Sequence, residues 1–529
     1  MVAKPKDLAL WRKTLLRSIK REIREVLGPR PEAIERYYAA YKRLFRVAKY
    51  KRCSADWVLQ HVPGFPLIYL GDFHTLPRSQ TSHLQVLTSI LEHWNAPILL
   101  MEMFASADQR ILDAFLDGTI DEESFLQEIR YQQSWGFRWY HYRDILNLAR
   151  QHGLRVIGMN LKQNASLEQR DEHFARIVAS RLKERDGQPI VVIVGDLHLA
   201  PTHLPARVQA LDPEAPPSIT IYQNSETIYL KEMDRGESDS LEAVDLGQNR
   251  YCLFNTPPWV KMESYLNWVQ NSEELLSREL GESNGEGLEY DHQVTMLTTH
   301  LAGFFGVRPV DPDQLDISVM EDIDFLPPLL NIFQSYPFFH LLQEHRSFYV
   351  PGEDIMYLPN LNLNYATAEI VRALLCHHHG YKTRHFYRSG YFFRRVLYLA
   401  EGYFATRIIN PLYRLEAPED TQDKLAREGD RRSTRKLKPL RRGNRLAGLY
   451  WRFMVHGEGR SPYDSAEANR RDAEQGYRVS MLLGNWTAHR MYEAFTAGNL
   501  AADTIRDAFP LPGDRETDSL QTLRSLILR

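Results

Sequence analysis

The apolar residues between positions 56 and 232 follow two alternating patterns. Short and largely β-branched runs are typical of buried strands, and the stretches between them repeat apolar residues every three or four positions, as helices do. Strands that alternate with helices of about ten or more residues predict a parallel or mostly parallel sheet with right-handed crossovers. The predicted fold class is therefore α/β with flanking helices. The predicted strands are 67–70, 97–104, 154–160, 190–194 and 218–222.

The patterns on either side of this region differ from it. Residues 8 to about 50 repeat apolar positions at helical spacing, and Gly28-Pro29-Arg30-Pro31 divides them into two helices. Residues 234–249 are polar and predict a loop, and after Pro257-Pro258 the chain is mainly helical, with a hairpin near 347–358. We predict three parts. They are a basic helical segment at 1–55, an α/β domain at 56–255 and a helical domain at 256–529.

Composition narrows the function classes. A chain of 529 residues is too long for one core, and 43% hydrophobic residues suffice for several. The net charge of −3 predicts no nucleic-acid partner, although the first 52 residues hold 16 Lys or Arg against 5 Asp or Glu. A solvated face on a packed helix is favoured there over peripheral membrane contact. Three dispersed cysteines and the lack of a signal peptide, a lipobox or a long apolar run lead us to expect a cytoplasmic protein.

One short motif occurs twice, each time directly after a predicted buried strand. Its copies are Gly71-Asp72-Phe73-His74 and Gly195-Asp196-Leu197-His198. In an extended backbone residues i and i+2 point to the same side, so each copy predicts an Asp and a His on one face. The carboxyl ends of strands are where α/β sheets gather their chemistry. The two copies therefore predict one site assembled from two parts of the chain.

Other polar residues end neighbouring predicted strands. Imidazoles and carboxylates are the ligands of Mn, Fe, Zn or Co, and such an ion could activate water for hydrolysis. Without a metal, an Asp–His pair could act as a general base with its orienting group. The structural alternative, in which Asp caps a turn and His satisfies a backbone group, is weakened by the second copy. The strand-end residues are Asp72, His74, Glu102, Asn160, Asp196 and His198.

A dense aromatic stretch lies between the second and third predicted strands. It could line a pocket for a planar ligand, but aromatic clusters are more often part of a core. We therefore favour the core interpretation. The stretch comprises Trp135, Phe137, Trp139, Tyr140, His141 and Tyr142.

These motifs, together with Met101-Glu102-Met103-Phe104 and Val156-Ile157-Gly158-Met159-Asn160, resemble the ChaN-like haem-binding uptake family over roughly residues 60–230. That family is grouped with the Tiki metalloproteases and the erythromycin esterases. The resemblance implies an α/β fold with a cleft at the strand ends, used either for haem or for metal-dependent hydrolysis. It implies that His74 and Glu102 are the main catalytic or ligand candidates, with Asp196 and His198 in the second motif. Ser79-Gln80 stand where the family usually has paired histidines.

The resulting hypothesis is a metal-dependent hydrolase of the peptidase or esterase type, acting on a small-molecule or peptide substrate. The alternative is a non-catalytic haem- or iron-binding protein that uses the same cleft. A scaffold without a site is disfavoured by the two motifs. The predicted catalytic residues are His74, Glu102 and His198. The predicted metal ligands are Asp72, His74, Glu102, Asp196 and His198, and the supporting residues are Gly71, Asn160 and Gly195.

Overall fold

The computed structural model of the chain divides into two units. One unit runs from Leu16 to Leu288, and the other combines Met1–Leu15 with Glu289–Arg529. The predicted limits at 55/56 and 255/256 stay predictions, and the two units have limits of their own. The structure describes residues 7–47, 49–162, 165–279, 289–319, 341–342, 346–381, 391–413, 438–457, 473–511 and 513–528.

The first unit contains an eight-stranded, mostly parallel sheet, which confirms the predicted α/β class. Six neighbouring strands are parallel, and two short strands at one edge pair antiparallel. The strands are β1 Lys51–Cys53, β2 Leu67–Asp72, β3 Ile98–Ala105, β4 Arg155–Asn160, β5 Ile190–Gly195, β6 Ser218–Gln223, β7 Ala243–Gly247 and β8 Arg250–Leu253. Their order across the sheet is β1-β7-β8-β6-β2-β5-β3-β4.

Helices connect these strands and cover the sheet. The predicted helical stretches between the strands are confirmed. One of them ends at Gly153, whose φ of 61° is the left-handed conformation that glycine adopts without strain. These helices are α2 Glu32–Val47, α3 Ala55–His61, α4 Pro77–Leu91, α5 Gln109–Leu116, α6 Glu122–Glu128, α7 Tyr131–Ser134, α8 Tyr140–His152, α9 Leu167–Glu184, α10 Leu204–Leu211, α11 Glu226–Asp234 and α12 Pro258–Glu279. Helix α1, Leu8–Leu27, precedes them, and its residues up to Leu15 belong to the other unit.

The hydrophobic core explains why the central strands are continuous apolar runs. Every residue of β2, β3 and β5 is buried, because helices cover both faces of a parallel sheet. The prediction of a loop at 234–249 is wrong in part, since β7 lies within it. β7 pairs with both β1 and β8. Its partly exposed Asp245 breaks the apolar run that identifies the central strands.

The second unit is mainly helical, as predicted, with a small three-stranded sheet. The predicted hairpin is confirmed as β10 Phe348–Val350 and β11 Ile355–Leu358, and β9 Asp316–Val319 pairs parallel to β11. The helices are α13 Asp291–Phe305, α14 Leu363–His378, α15 Phe392–Ile409, α16 Lys438–His456, α17 Ala473–Thr496, α18 Ala502–Asp507 and α19 Glu516–Ile527. No helix in the described part of the chain is long and apolar enough to cross a bilayer.

Candidate functional site

The first motif ends β2 and positions an imidazole. The Nδ1 of His74 lies 2.8 Å from Asp72 Oδ2, to which its N–H donates. Gln80 and Tyr142 donate to the same carboxylate at 2.6 and 3.0 Å, so Asp72 is fixed from three sides. Burial would raise the pKa of Asp72, but the hydrogen bonds from His74 and Tyr142 and the charge of His74 lower it below its usual value. The His74 ring is therefore held with its Nε2 directed away from Asp72.

The second motif positions an imidazole in a different way. The Nδ1 of His198 donates to Asp171 Oδ1 at 2.6 Å, and Tyr37 donates to Asp171 Oδ2 at 3.0 Å. Asp171 lies on α9 and Tyr37 on α2, and sequence reasoning missed both. A signal for Asp171 exists, because it shares a helical face with the buried Phe174 and Val178, and an unpaired Asp is rare on such a face.

Glu102 lies between the two imidazoles, within β3 and directly after Met101, the last residue of β3 that pairs with β5. Its carboxylate accepts the Gly195 N–H at 2.7 Å, with His198 Nε2 at 3.4 Å and His74 Nε2 at 3.9 Å. Although burial opposes ionisation, the two histidines lower the pKa of Glu102 to about 2. The same contacts overcome burial to raise the pKa of His198 to about 9 and that of His74 above its usual value. The centre is thus an ionised carboxylate flanked by two imidazoles, each held by its own Asp.

Asp196 does not pair with His198 and instead contacts Tyr41 and Lys261. Residues Asp196–Leu199 form a 3-10 turn. The prediction of an extended backbone, with Asp196 and His198 on one face, is therefore wrong for the second motif. Tyr41 donates to Asp196 at 2.9 Å and Lys261 Nζ lies 3.5 Å away. Burial raises the pKa of Asp196, although Lys261 and Tyr41 oppose this. Asp196 still lines the same cavity.

The predicted supporting residues have structural reasons. A Cβ at Gly71 would collide with the Asp196 carboxylate, and one at Gly195 would lie 3.1 Å from His74 Nε2. Both glycines therefore permit the close approach of side chains from neighbouring strands. Asn160 lines the cavity, and its side-chain oxygen accepts the Leu161 N–H at 2.9 Å.

A cavity of about 500 Å³ opens onto these groups at the ends of the strands, and we call it the strand-end cavity. The His74 ring lies 4.7 Å from Trp135 and 4.8 Å from Phe137, measured between centroids. Trp268 stacks on Phe137 at 4.7 Å, and Tyr265 stacks on Trp268 at 5.7 Å. The cavity thus has a continuous aromatic wall. The core interpretation holds for Trp139, which is buried, but Trp135 and Phe137 line the cavity.

Four cationic side chains also line the cavity. Lys261 is nearly buried and lies over the Phe73 ring at 4.4 Å, and the Arg170 side chain is 30% exposed. Arg30 and Lys42 both lie over the Tyr38 ring, at 4.4 and 4.3 Å. Lys261 lies near the Asp196 carboxylate and Arg170 near that of Glu102. Arg30 and Lys42 are therefore the cations best placed to meet anionic groups of a ligand. This distribution suits a ligand that carries anionic groups.

Residues 58–167 match the profile of a family described as haem-binding uptake, Tiki superfamily, ChaN. These residues are ChaN-like. A comparison with curated proteins gives no match. The solved structure of cofacial haem binding to ChaN of Campylobacter jejuni is similar at 13% identity, with 38% of this chain and 92% of that chain covered and a TM-score of 0.27.

The ChaN-like residues supply only part of the site. Asp72, His74, Glu102, Trp135 and Phe137 lie within them. The partner of His198, the second motif itself and the wall from α12 come from outside. Because Lys261, Tyr265 and Trp268 recur at helical spacing, α12 presents one face to the cavity.

The predicted metal ion stays a prediction. Among the described residues, no three His, Cys, Asp or Glu side chains are grouped so that they could hold a metal ion. The oxygens of Glu102 face the Gly195 amide and the His198 ring instead.

Proposed function

We propose that the unit with the ChaN-like residues binds haem in the strand-end cavity. The observation that carries the proposal is the environment of His74, an imidazole fixed by Asp72 and flanked by two aromatic rings of a cavity of about 500 Å³. A cavity of this size suits a small-molecule ligand, and its aromatic wall suits a planar one. The family description of the matched residues supports haem over other planar ligands.

The side chains of the cavity fit haem chemically. His74 Nε2 would be the iron ligand, because its other nitrogen donates to a carboxylate, which is the usual arrangement behind a metal-bound imidazole. The stacked rings of Phe137 and Trp268 would contact the macrocycle. Arg30 and Lys42 would pair with the propionates, since both line the cavity, Arg30 at an exposed and Lys42 at a half-buried position.

Replacing His74 with alanine is expected to weaken haem binding by about tenfold or more, because the iron would lose its imidazole ligand while the wall remains. The measurement is titration of the purified chain with haemin, followed by the Soret absorption. His93→Ala is the matched control, since His93 is an exposed histidine of the same unit. A Soret band and an affinity that are equal in the wild type and the His74→Ala protein would contradict the proposed ligand. The lack of any binding to the wild type would contradict haem binding itself.

A second candidate function is hydrolysis, and the two Asp–His pairs that face Glu102 favour it. His74 with Asp72 has the composition of a general base and its orienting group. His198, with a pKa of about 9, is a cation at neutral pH and could stabilise negative charge that develops on a reacting carbonyl.

If hydrolysis is the function, His74→Ala should lower the rate by at least about a hundredfold, the smallest usual contribution of a positioned acid or base. The probes are p-nitrophenyl acetate for esterase activity and fluorescein-labelled casein for peptidase activity, each assayed with EDTA, Mn²⁺ or Zn²⁺. Elemental analysis of the untreated protein would report any bound metal. No turnover under any of these conditions, or equal turnover by the His74→Ala protein, would contradict this function for the probes used.

A further inference from the structure

The carboxylates that line the strand-end cavity are all matched by side chains of the protein. Each of the four has a cation or an imidazole within 3.5 Å. A ligand therefore does not have to bring a positive charge to this cavity. The four pairs are Asp72–His74, Glu102–His198, Asp196–Lys261 and Glu226–Lys20.

One of the four Lys and Arg side chains of the lining differs from the other three. In the part of the chain that the structure describes, no carboxylate oxygen lies within 4.0 Å of Lys42 Nζ. The positive charge of Lys42 is therefore the one that the protein leaves for a ligand to match. The other three cations have carboxylates nearby, in the pairs Lys261–Asp196 at 3.5 Å, Arg30–Glu35 at 3.5 Å and Arg170–Glu102 at 4.0 Å.

An aromatic ring, and no counter-ion, supports the Lys42 ammonium group. Lys42 is half-buried on α2, and its Nζ lies 4.3 Å from the centroid of the Tyr38 ring, which lines the cavity as well. A ring face attracts an ammonium group but carries no net charge, so the charge of Lys42 stays uncompensated. An acid group of a ligand would compensate it and accept hydrogen bonds from its N–H groups.

Lys42 and the aromatic wall come from different parts of the chain. Helix α2 supplies the cation, whereas residues 135–137 and α12 supply the rings. A ligand that meets both has a planar part and an acid group. A planar ligand without an acid group would displace water from the ammonium group and offer nothing in return, and this cost separates the two kinds of ligand. Because α2 lies outside the ChaN-like residues 58–167, the cation is an addition to them.

We propose that the strand-end cavity selects planar ligands that carry an acid group, and that Lys42 is the residue that makes the selection. This inference rests on the proposed binding of haem, whose propionates are such groups, and it adds a rule that does not depend on iron. Metal-free protoporphyrin IX and smaller planar carboxylic acids belong to the same ligand class, and their esters bind more weakly. Arg30 contributes less, because Glu35 lies beside it.

The test compares each acid with its own ester. The purified full chain is titrated in one cosolvent with protoporphyrin IX and its dimethyl ester, and with pyrenebutyric acid and its methyl ester, and ligand fluorescence reports binding. The acid should bind about threefold to tenfold more tightly than the ester, the effect of one ion pair at a half-buried position. Equal affinities of acid and ester, or no binding of either acid, would overturn the proposal.

Three variants locate the selection. Lys42→Gln should lower the affinity for the acid to that for the ester and leave the affinity for the ester almost unchanged, because an amide has no charge to compensate. Lys42→Arg should keep the preference for the acid, since it keeps the charge. Lys49→Gln is the matched control, because Lys49 is an exposed lysine of the same unit outside the cavity lining. A preference for the acid that survives in Lys42→Gln would overturn the assignment of Lys42.

Haemin separates this proposal from haem binding itself. If the wild type bound haemin and haemin dimethyl ester equally well, haem binding would stand and the selection by an acid group would be overturned. If haemin gave no Soret change while the free acids still bound more tightly than their esters, the selection would stand and haem binding would be contradicted. Chromatography of the recovered esters confirms that they are intact, since hydrolysis would convert them to the acids.

Discussion

Replacing Glu102 with alanine is expected to lower the free energy of unfolding by on the order of 3–5 kcal/mol, the cost of breaking a buried ionic contact by removing one partner. The Glu102 side chain is 2% exposed and carries the negative charge between His74 and His198. The substitution also leaves the buried Gly195 N–H without its acceptor. Urea unfolding followed by circular dichroism would measure the change.

Glu172→Ala is the matched control for this experiment. Glu172 pairs with Arg176 and Arg207, but its side chain is 50% exposed. Ion pairs at such positions contribute at most about 1 kcal/mol, so the control should unfold almost as the wild type does. If the two substitutions had equal effects, the carboxylate of Glu102 would not be the centre of an ionic cluster.

Raising the pH from about 6.5 to about 9 should remove on the order of 3 kcal/mol of stability that depends on His198. The folded pKa of His198, about 9, lies above the usual value of 6.5, so its contribution is complete below pH 6.5 and is lost as the pH rises through 9. Glu102 behaves in the opposite way. Its pKa of about 2 lies below the usual 4.5, so its contribution is complete above pH 4.5 and is lost as the pH falls towards 2. Together the two groups should stabilise the fold most between about pH 4.5 and 6.5.

The measurement is the difference in unfolding free energy between the wild type and a His198→Gln protein at a series of pH values. That difference should be largest in the window given above and should shrink towards pH 9. Nuclear magnetic resonance of ring-labelled histidine would follow the titration of His198 directly. A midpoint near 6.5 would show that Glu102 and Asp171 do not hold the proton on this ring.

The sequence was sufficient to predict those parts of the site that follow from local pattern. The buried runs before Gly71 and Gly195 identify the strands, and parallel strands bring their carboxyl ends to one edge, so the proximity of His74, Glu102 and His198 could be expected. The Asp72–His74 contact follows as well, because the two residues are two positions apart at the end of one strand.

The contributions that were missed depend on tertiary structure. Asp171, Tyr37 and Lys261 lie on helices, and periodicity tells which face of a helix is apolar but not which strand end that face will meet. The partner of His198 was predicted as Asp196 because an extended backbone was assumed. The 3-10 turn directs Asp196 to Tyr41 and Lys261 instead. Strand β7 was missed because a short edge strand can carry a polar residue such as Asp245.

Because the residues that line the strand-end cavity are spread over a long stretch of the chain, a shortened protein keeps the whole site only within certain limits. A fragment cut to the ChaN-like residues 58–167 would keep His74 and Glu102 but would lose Asp171, His198 and the wall from α12. Its Glu102 would face a single imidazole, and Phe137 would lose the ring that stacks on it. The shortest piece of the chain that retains every side chain of the cavity lining runs from Arg30 to Trp268. Expression of the isolated unit should therefore start before α2 and end after α12.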